Sequence, residues 1–416
     1  MAQYQGLLGV LLLIAIAVAL SEDRKSIPWR LVVAGCLLQV VIAAACLRVP
    51  GVVDAIDWIA QGFTKVISFA DEGTAFLFGK AADASQPWGF IFAVKVLPII
   101  IFFAAFMSVM YHIRVMQVIV AGVAWVLRKT LGVTGVEALS ASANIFVGQT
   151  EAPLTVKPYL ESMTRSQIMA IMVGGFATIA GSVMAAYVGM LGGDSTESKV
   201  LFAKHLLTAS VMSAPAGLVM AKIMLPERET PRDETLGSLL GQKSEHVNVI
   251  DAAAAGATDG LKLALNVAAM LAAFVALIAL LNWPLSSISP SLSFQSILGT
   301  LLKPLAWSVG IPWDESQKFG SLLGTQIVAT EFKAYLDLST HIKEQTLSSR
   351  SAQIATYSLC GFANLASIAI QIGGLSAIAP SRRADFVKIA PKAMIAGALA
   401  CWMTGAWAGI LIPAAH

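Results

Sequence analysis

Apolar residues in this chain run in long unbroken blocks, not in the short alternations of a soluble fold. Blocks near the roughly 20 residues needed to cross hydrocarbon occupy 4–20, 29–48, 88–113, 167–191, 199–224, 251–283, 350–379 and 386–413, eight spanning candidates in all. Three stretches depart from the pattern. Residues 51–84 mix Asp54, Asp57, Lys65, Asp71 and Glu72 with apolar residues at helical spacing, which predicts an amphipathic helix lying in the membrane interface. Residues 116–163 and 294–338 each hold two shorter apolar runs, turning near Leu131-Gly132-Val133-Thr134-Gly135 and Gly310-Ile311-Pro312-Trp313-Asp314. Runs this short suit re-entrant hairpins, tolerated only when buried in protein or lining a wet cavity.

A second pattern is written twice. Gly148-Gln149-Thr150-Glu151 is followed by Gly175-Phe176-Ala177-Thr178-Ile179-Ala180, and Ala329-Thr330-Glu331 by Gly361-Phe362-Ala363-Asn364-Leu365-Ala366. The Thr-Glu pairs lie 180 residues apart and the Gly-Phe-Ala triplets 186 apart. Each copy is a hairpin, a glycine-broken helix and a further helix, and the single block at 251–283 between them inverts the second. The fold expected is therefore an all-α membrane protein with eight transmembrane helices, two re-entrant hairpins, an interfacial helix and an inverted repeat. Four segments follow: scaffold helices in 1–115, a first transport repeat in 116–225, a cytoplasmic linker and long scaffold helix in 226–293, and a second transport repeat in 294–416. The linker runs from Pro226 to Val247.

Composition agrees. Hydrophobic residues make up 57% and charged ones 13%, against about 25% charged in soluble domains. The net charge of +3 with no basic cluster gives no argument for nucleic acid. Cys36, Cys46, Cys360 and Cys401 lie in apolar blocks without metal spacing and read as core residues. The five histidines pair with no carboxylate at relay spacing and read as interfacial or loop residues. No nucleotide loop, nucleophile elbow or Cys/His cluster is present, so neither an enzyme nor an ATP-driven pump is expected. Arg24, Lys25 and Arg30 in the first loop, Arg382, Arg383 and Lys388 before the last block, and Lys222, Arg228, Arg232 and Lys243 assigned to the linker place those segments inside. Both termini then lie outside.

Two acids beside apolar runs are costly unless used. Glu151 precedes Pro153, which interrupts helix and frees backbone groups. With Gln149 and Thr150 it offers donors and acceptors at one spot, suited to an uncharged polar solute. The ordinary alternative pairs Glu151 with Lys157 or Arg165. Glu331 has Lys333 and Asp337 nearby, so a solvated charge cluster competes with a site. Asn364 and Ser367 share a helix face after the Gly361 break, where interhelical hydrogen bonding competes. Asn144, Val147, Thr178 and Ile179 offer oxygen ligands at an unwound segment, as a small hard cation requires.

These residues resemble the concentrative nucleoside transporter family in its bacterial form. The likeness rests on Ser142-Ala143-Asn144-Ile145-Phe146-Val147-Gly148-Gln149-Thr150-Glu151-Ala152-Pro153, on Glu331-Phe332-Lys333-Ala334-Tyr335, and on Gly361-Phe362-Ala363-Asn364 with Ser367. It implies a sodium-coupled nucleoside importer of the inner membrane, working as a homotrimer by alternating access, with proton coupling as the alternative. It further implies that Gln149, Thr150 and Glu151 face the base, that Glu331, Asn364 and Ser367 bind the ribose hydroxyls beside Phe362, and that Asn144, Val147, Thr178 and Ile179 hold sodium. Lys333 departs from the family, where an aliphatic residue is usual.

Overall fold

The computed structural model describes residues 2–83, 86–87, 91–193, 195–232, 246–289 and 292–412. These form helices without a strand among the described residues: α1 (Ala2–Ala19), α2 (Trp29–Arg48), α3 (Pro50–Phe78), α4 (Phe92–Lys95), α5 (Leu97–His112), α6 (Val115–Leu131), α7 (Gly135–Asn144), α8 (Arg165–Ala177), α9 (Gly181–Gly192), α10 (Thr196–Met224), α11 (Val249–Ile288), α12 (Phe294–Ser308), α13 (Ser316–Val328), α14 (Glu331–Lys343), α15 (Ser349–Ser358), α16 (Leu365–Ile378) and α17 (Arg383–Leu411). The chain is an all-α, multi-pass membrane protein.

Six described segments are long and apolar enough to cross a bilayer: Trp29–Arg48, Phe92–His112, Arg165–Gly192, Thr196–Met224, Val249–Ile288 and Pro380–Leu411. The other two expected blocks fold as shorter helices, because 350–379 is divided between α15 and α16 and the apolar part of α1 covers Gln5–Ala19. The expected hairpin turns appear at Gly132, with φ +69, and Gly310, with φ +109; backbone there favours glycine. The first hairpin holds a feature its apolar pattern did not foretell. After α7 the chain leaves α-helix and continues as a 3-10 helix over Ala152–Ser162, where Pro153 and Pro158 withhold backbone donors.

α8 and α9 sit at the centre and are buried along nearly their whole length, as expected of helices apolar all round. Between them Thr178 and Ala180 adopt extended backbone. A matching break, Leu359 to Asn364, separates α15 from α16. The two breaks touch: the Phe362 N–H donates to the Thr178 carbonyl at 3.3 Å. A Cβ on Gly361 would lie 2.6 Å from the Phe176 carbonyl oxygen, so glycine is what permits the approach.

α11, 40 residues long, packs along the 16-residue α5. Gly256 and Gly260, four apart, make that contact; a Cβ on Gly260 would stand 2.8 Å from the Ile101 Cα. Small residues at this spacing let membrane helices close to backbone contact. On α3 the buried residues Ala60, Thr64, Ile67, Ala70 and Thr74 form one stripe, while Trp58, Phe69, Phe76 and Leu77 are exposed on the rest, as an interfacial helix requires.

Two expectations change. Lys222 belongs to the last turn of α10, not to a solvated linker. It is buried, 2.5 Å from Glu137 of α7 and 2.9 Å from the Ser166 hydroxyl. A charge so paired says little about the aqueous side, whereas Arg228, on Asp23 at 3.1 Å, is exposed. His205 is neither interfacial nor in a loop: it is buried on α10 with Nδ1 3.0 Å from the Tyr357 hydroxyl, because its place in a helix packed on α15 lets a tyrosine satisfy it. α1 and α2 pack on α17 and α10. Most of the linker, including Lys243, and His416 lie outside the described residues.

Candidate functional site

A cavity of about 680 Å³ opens between the α5–α11 pair and the centre of the fold. Its lining includes Val147, Gln149, Thr150, Glu151, Glu331, Phe362, Asn364 and Ser367. All seven residues expected at the substrate site therefore converge, although they come from four segments and both halves of the chain.

Glu331 occupies the first turn of α14, capped by Thr330, whose hydroxyl accepts from the Lys333 N–H at 3.3 Å. A carboxylate in this position is favoured by the partial positive charge of the helix start. It is 3% exposed. Its two oxygens are separately held: the Tyr187 hydroxyl donates to one at 3.1 Å and the Asn364 side-chain amide to the other at 2.6 Å. Tyr187 is itself fixed by stacking on Tyr335, ring centroids 4.1 Å apart, and by an edge contact with Phe332 at 4.8 Å. The competing charge cluster resolves elsewhere. Lys333 pairs with Asp337 one turn along α14 and is absent from the cavity wall, so the family departure leaves Glu331 to the site.

Asn364 and Ser367 do not share a helix face, as the sequence suggested. Asn364 is the N-cap of α16, outside the helix, and its side-chain oxygen accepts from the Ser367 N–H at 2.8 Å. One asparagine thus starts the helix with its oxygen and holds Glu331 with its nitrogen. Capping of this kind is favoured because it satisfies a helix-start donor.

Glu151 differs from the buried acid expected. It lies where helix has given way to the 3-10 segment, lines the cavity and is exposed to its contents. It does not pair with Arg165, which reaches Glu22 at 3.6 Å. Gln149 beside it is buried and engaged: its side-chain nitrogen donates to the Ser367 hydroxyl at 3.2 Å, and its oxygen accepts from Gln371 at 3.1 Å.

Asn144, Val147, Thr178 and Ile179 gather where α7 ends and the α8–α9 break begins. The Asn144 side-chain nitrogen donates to the Ser140 carbonyl at 3.0 Å, while its oxygen Oδ1 is buried without a hydrogen-bond partner. An orphaned buried acceptor is costly and fits a cation ligand. The Thr178 hydroxyl donates to the Gly174 carbonyl at 2.8 Å, leaving its lone pairs available. No group of His, Cys, Asp and Glu among the described residues could hold a metal, so any cation here would rest on neutral oxygens, the donor set sodium accepts.

Two residues escaped the sequence reading, Tyr187 and Gln371. Both sit inside apolar segments. The available signal was that a buried tyrosine hydroxyl needs a partner, and that Asn364, Ser367 and Gln371 recur at helical spacing.

The sequence model described as Na+ dependent nucleoside transporter C-terminus matches residues 205–409, its N-terminal counterpart matches 8–81, and a nucleoside recognition gate matches 93–194. The Helicobacter pylori nucleoside permease NupC is 40% identical, covering 97% of this chain and 96% of that protein. The chain belongs to the concentrative nucleoside transporter family. Human solute carrier family 28 member 3 is 39% identical over 97% of this chain and 59% of its own length. A solved structure of CNTnw in an inward-facing, substrate-bound state superposes with a TM-score of 0.92 at 42% identity, covering 99% of this chain and 98% of that one. The family transports nucleosides, is described as sodium-dependent, and is not an enzyme family.

Proposed function

We propose that this chain is a sodium-coupled importer of nucleosides such as uridine, in the inner membrane, working by alternating access as a homotrimer. The observation that carries the reading is the Glu331 carboxylate, buried and oriented by Tyr187 and Asn364 at the floor of the cavity. A held carboxylate makes strong hydrogen bonds to vicinal hydroxyls, which suits ribose. Ser367 and Asn364 complete that end and Phe362 gives an apolar wall, while Gln149, Thr150 and Glu151 meet the base.

Sodium bound by Asn144, Val147, Thr178 and Ile179 would act across the touching breaks. The Thr178 carbonyl accepts from the Phe362 N–H, and Asn364 follows two residues later. A cation that settles the first break therefore bears on the backbone that positions the ribose end, and linkage makes the effect reciprocal. One inward charge gains about 2.3 kcal/mol per 100 mV, equivalent to roughly fifty-fold accumulation.

Direction follows from charge. The first loop, the start of α8, the end of α10 and α17 meet at one end, joined by Glu22 to Lys392 at 2.9 Å and to Arg165 at 3.6 Å. That end is basic and faces the cytoplasm by the positive-inside rule, which puts both termini outside and gives eight crossings with two re-entrant hairpins. His112 and His246, which line the cavity, stand at this end on the proposed orientation, which supports an inward-facing conformation. The moving part comprises the two repeats, and α1 and α2 travel with it because they pack on α10 and α17; α3, α5 and α11 stay as the frame.

The test is radiolabelled uridine uptake into proteoliposomes with sodium and pH gradients set separately. Replacing sodium by choline at fixed pH stops uptake. Full accumulation driven by a pH gradient without sodium would overturn sodium coupling.

A further inference from the structure

Gln371 lies on α16, 1% exposed, one layer behind the cavity wall. Its side-chain nitrogen donates twice, to the Met172 carbonyl at 3.0 Å and to the Gln149 side-chain oxygen at 3.1 Å. Gln149 in turn donates to the Ser367 hydroxyl at 3.2 Å. The direction of this chain is not arbitrary. A backbone carbonyl can only accept, so Gln371 must turn its nitrogen towards Met172. The same nitrogen then faces Gln149, which must answer with oxygen. The Gln149 nitrogen is left pointing towards Ser367 and the cavity. If Gln371 flipped, its oxygen would face the Met172 carbonyl and lose that bond.

Space for the contact is built in. A Cβ on Gly175 would lie 2.6 Å from the Gln371 side-chain nitrogen and 2.9 Å from the Gln149 Cβ. Gly175 therefore keeps the room in which the two amides meet, a reason for glycine there beyond helix breaking.

We propose that Gln371 is a positioning residue that fixes the amide of Gln149, so that the site offers the base a hydrogen-bond donor at this point and selects ligands with an acceptor on the facing edge. Gln149 has two amide hydrogens, one spent on Ser367 and one available, while its oxygen is already engaged. The Ser367 oxygen, accepting from Gln149, has its hydroxyl hydrogen directed onward to an acceptor on the ligand. The polarity set by one backbone carbonyl thus reaches both ends of the solute. A free glutamine would turn to accept or donate equally, and would discriminate little between base edges.

The inference rests on Gln149 facing the base, and the experiment separates the two. Inhibition constants are measured in sodium-driven uridine uptake for uridine, for analogues in which O2 or O4 is replaced by hydrogen or sulfur, and for 3′-deoxyuridine. Native protein is expected to discriminate against at least one base analogue by about tenfold, the worth of one well-placed hydrogen bond. In Gln371→Leu, and independently in Gly175→Ala, which keeps both amides but crowds them, that ratio falls to within about twofold, while the penalty for losing the ribose hydroxyl persists because Glu331 is held by other residues. Gln371→Met serves if the leucine variant fails to insert. An unchanged ratio in inserted Gln371 variants, or no discrimination by the native protein, overturns the proposal. If Gln149→Ala removes discrimination and the Gln371 variants do not, the positioning role alone fails. If Gln149→Ala also leaves the ratio intact, the base contact fails with it.

Discussion

Glu331 and Glu151 occupy equivalent places in the repeat, yet the fold treats them in opposite ways. Glu331 is buried, begins a helix, and has each oxygen assigned to a different donor. Glu151 stands beside a 3-10 segment and is open to the cavity. The difference teaches how one site can be strict and tolerant at once. On the proposed assignment Glu331 meets the sugar, which every nucleoside carries, so that end can be organised before the solute arrives, and binding then costs little reorganisation. Bases differ, and on the same assignment Glu151 gives the base end an accessible carboxylate that a base can approach in several ways.

The hardest blow to this comparison comes from the same substitution at both acids. Glu331→Gln keeps the shape and removes the charge. Its single oxygen can serve Asn364, since the Asn364 nitrogen cannot accept, leaving an NH2 against the Tyr187 hydroxyl, which can. The fold should tolerate this, but the proposed acceptor for two ribose hydroxyls is lost. Charge-assisted hydrogen bonds are worth about 1.5–3 kcal/mol each, so uridine uptake at low substrate should fall about a hundredfold or more, with surface-inserted protein unchanged. Asn364→Ala should fall nearly as far, because it removes both the Glu331 contact and the α16 cap. Near-native uptake in either variant would remove Glu331 from the ribose site.

Next in size is Tyr187→Phe. It deletes one donor to Glu331 and leaves the stack on Tyr335 intact. The expected result is about a tenfold rise in the uridine concentration for half-maximal uptake, with base discrimination unaltered. An equal loss for all ligands together with poor insertion would instead mark Tyr187 as a packing residue.

How much of this could be read from residues alone follows the same divide. Glu331 was legible as an acid in an apolar run that repeats Glu151, and Asn364 and Ser367 as polar residues just after the Gly361 break. Tyr187 was not, since a tyrosine in Gly181–Gly192 reads as one more large side chain. Gln371 was hidden for a related reason: it touches no ligand position and acts through Gln149. Lys222 was misassigned to the linker because sequence shows a charge near a helix end, not the Glu137 carboxylate folded against it from 85 residues earlier. Breaking that pair from one side, as in Glu137→Ala, leaves the buried ammonium with the Ser166 hydroxyl at 2.9 Å and the more distant Glu227 at 3.6 Å, and the expected cost is below the roughly 3–5 kcal/mol of a buried charge left wholly unpaired. The measurement is thermal stability in detergent, and a melting temperature within a degree of native would show that Glu227 takes over the ammonium. The pair belongs to the same end of the first hairpin as Gln167, which bridges to Thr134 at 3.1 Å, so the hairpin that carries the adaptable acid is itself firmly rooted.

The smallest effect, and the sharpest for the comparison, is Glu151→Gln. An accessible carboxylate already shares its hydrogen bonds with water, so replacing it by an amide changes the balance of donors and acceptors more than the binding energy. Uridine affinity should move by about threefold or less, consistent with an exchange of solvated hydrogen bonds. The ratio of cytidine to uridine affinity should move more, because cytosine offers an exocyclic amine where uracil offers a carbonyl, and an amide oxygen receives the first less strongly than a carboxylate does. Native-like uptake with a shifted base ratio would confirm that openness at Glu151 serves tolerance. A loss as deep as that of Glu331→Gln, shared by all bases, would mean that the two acids act as one unit and that the open position closes around the solute.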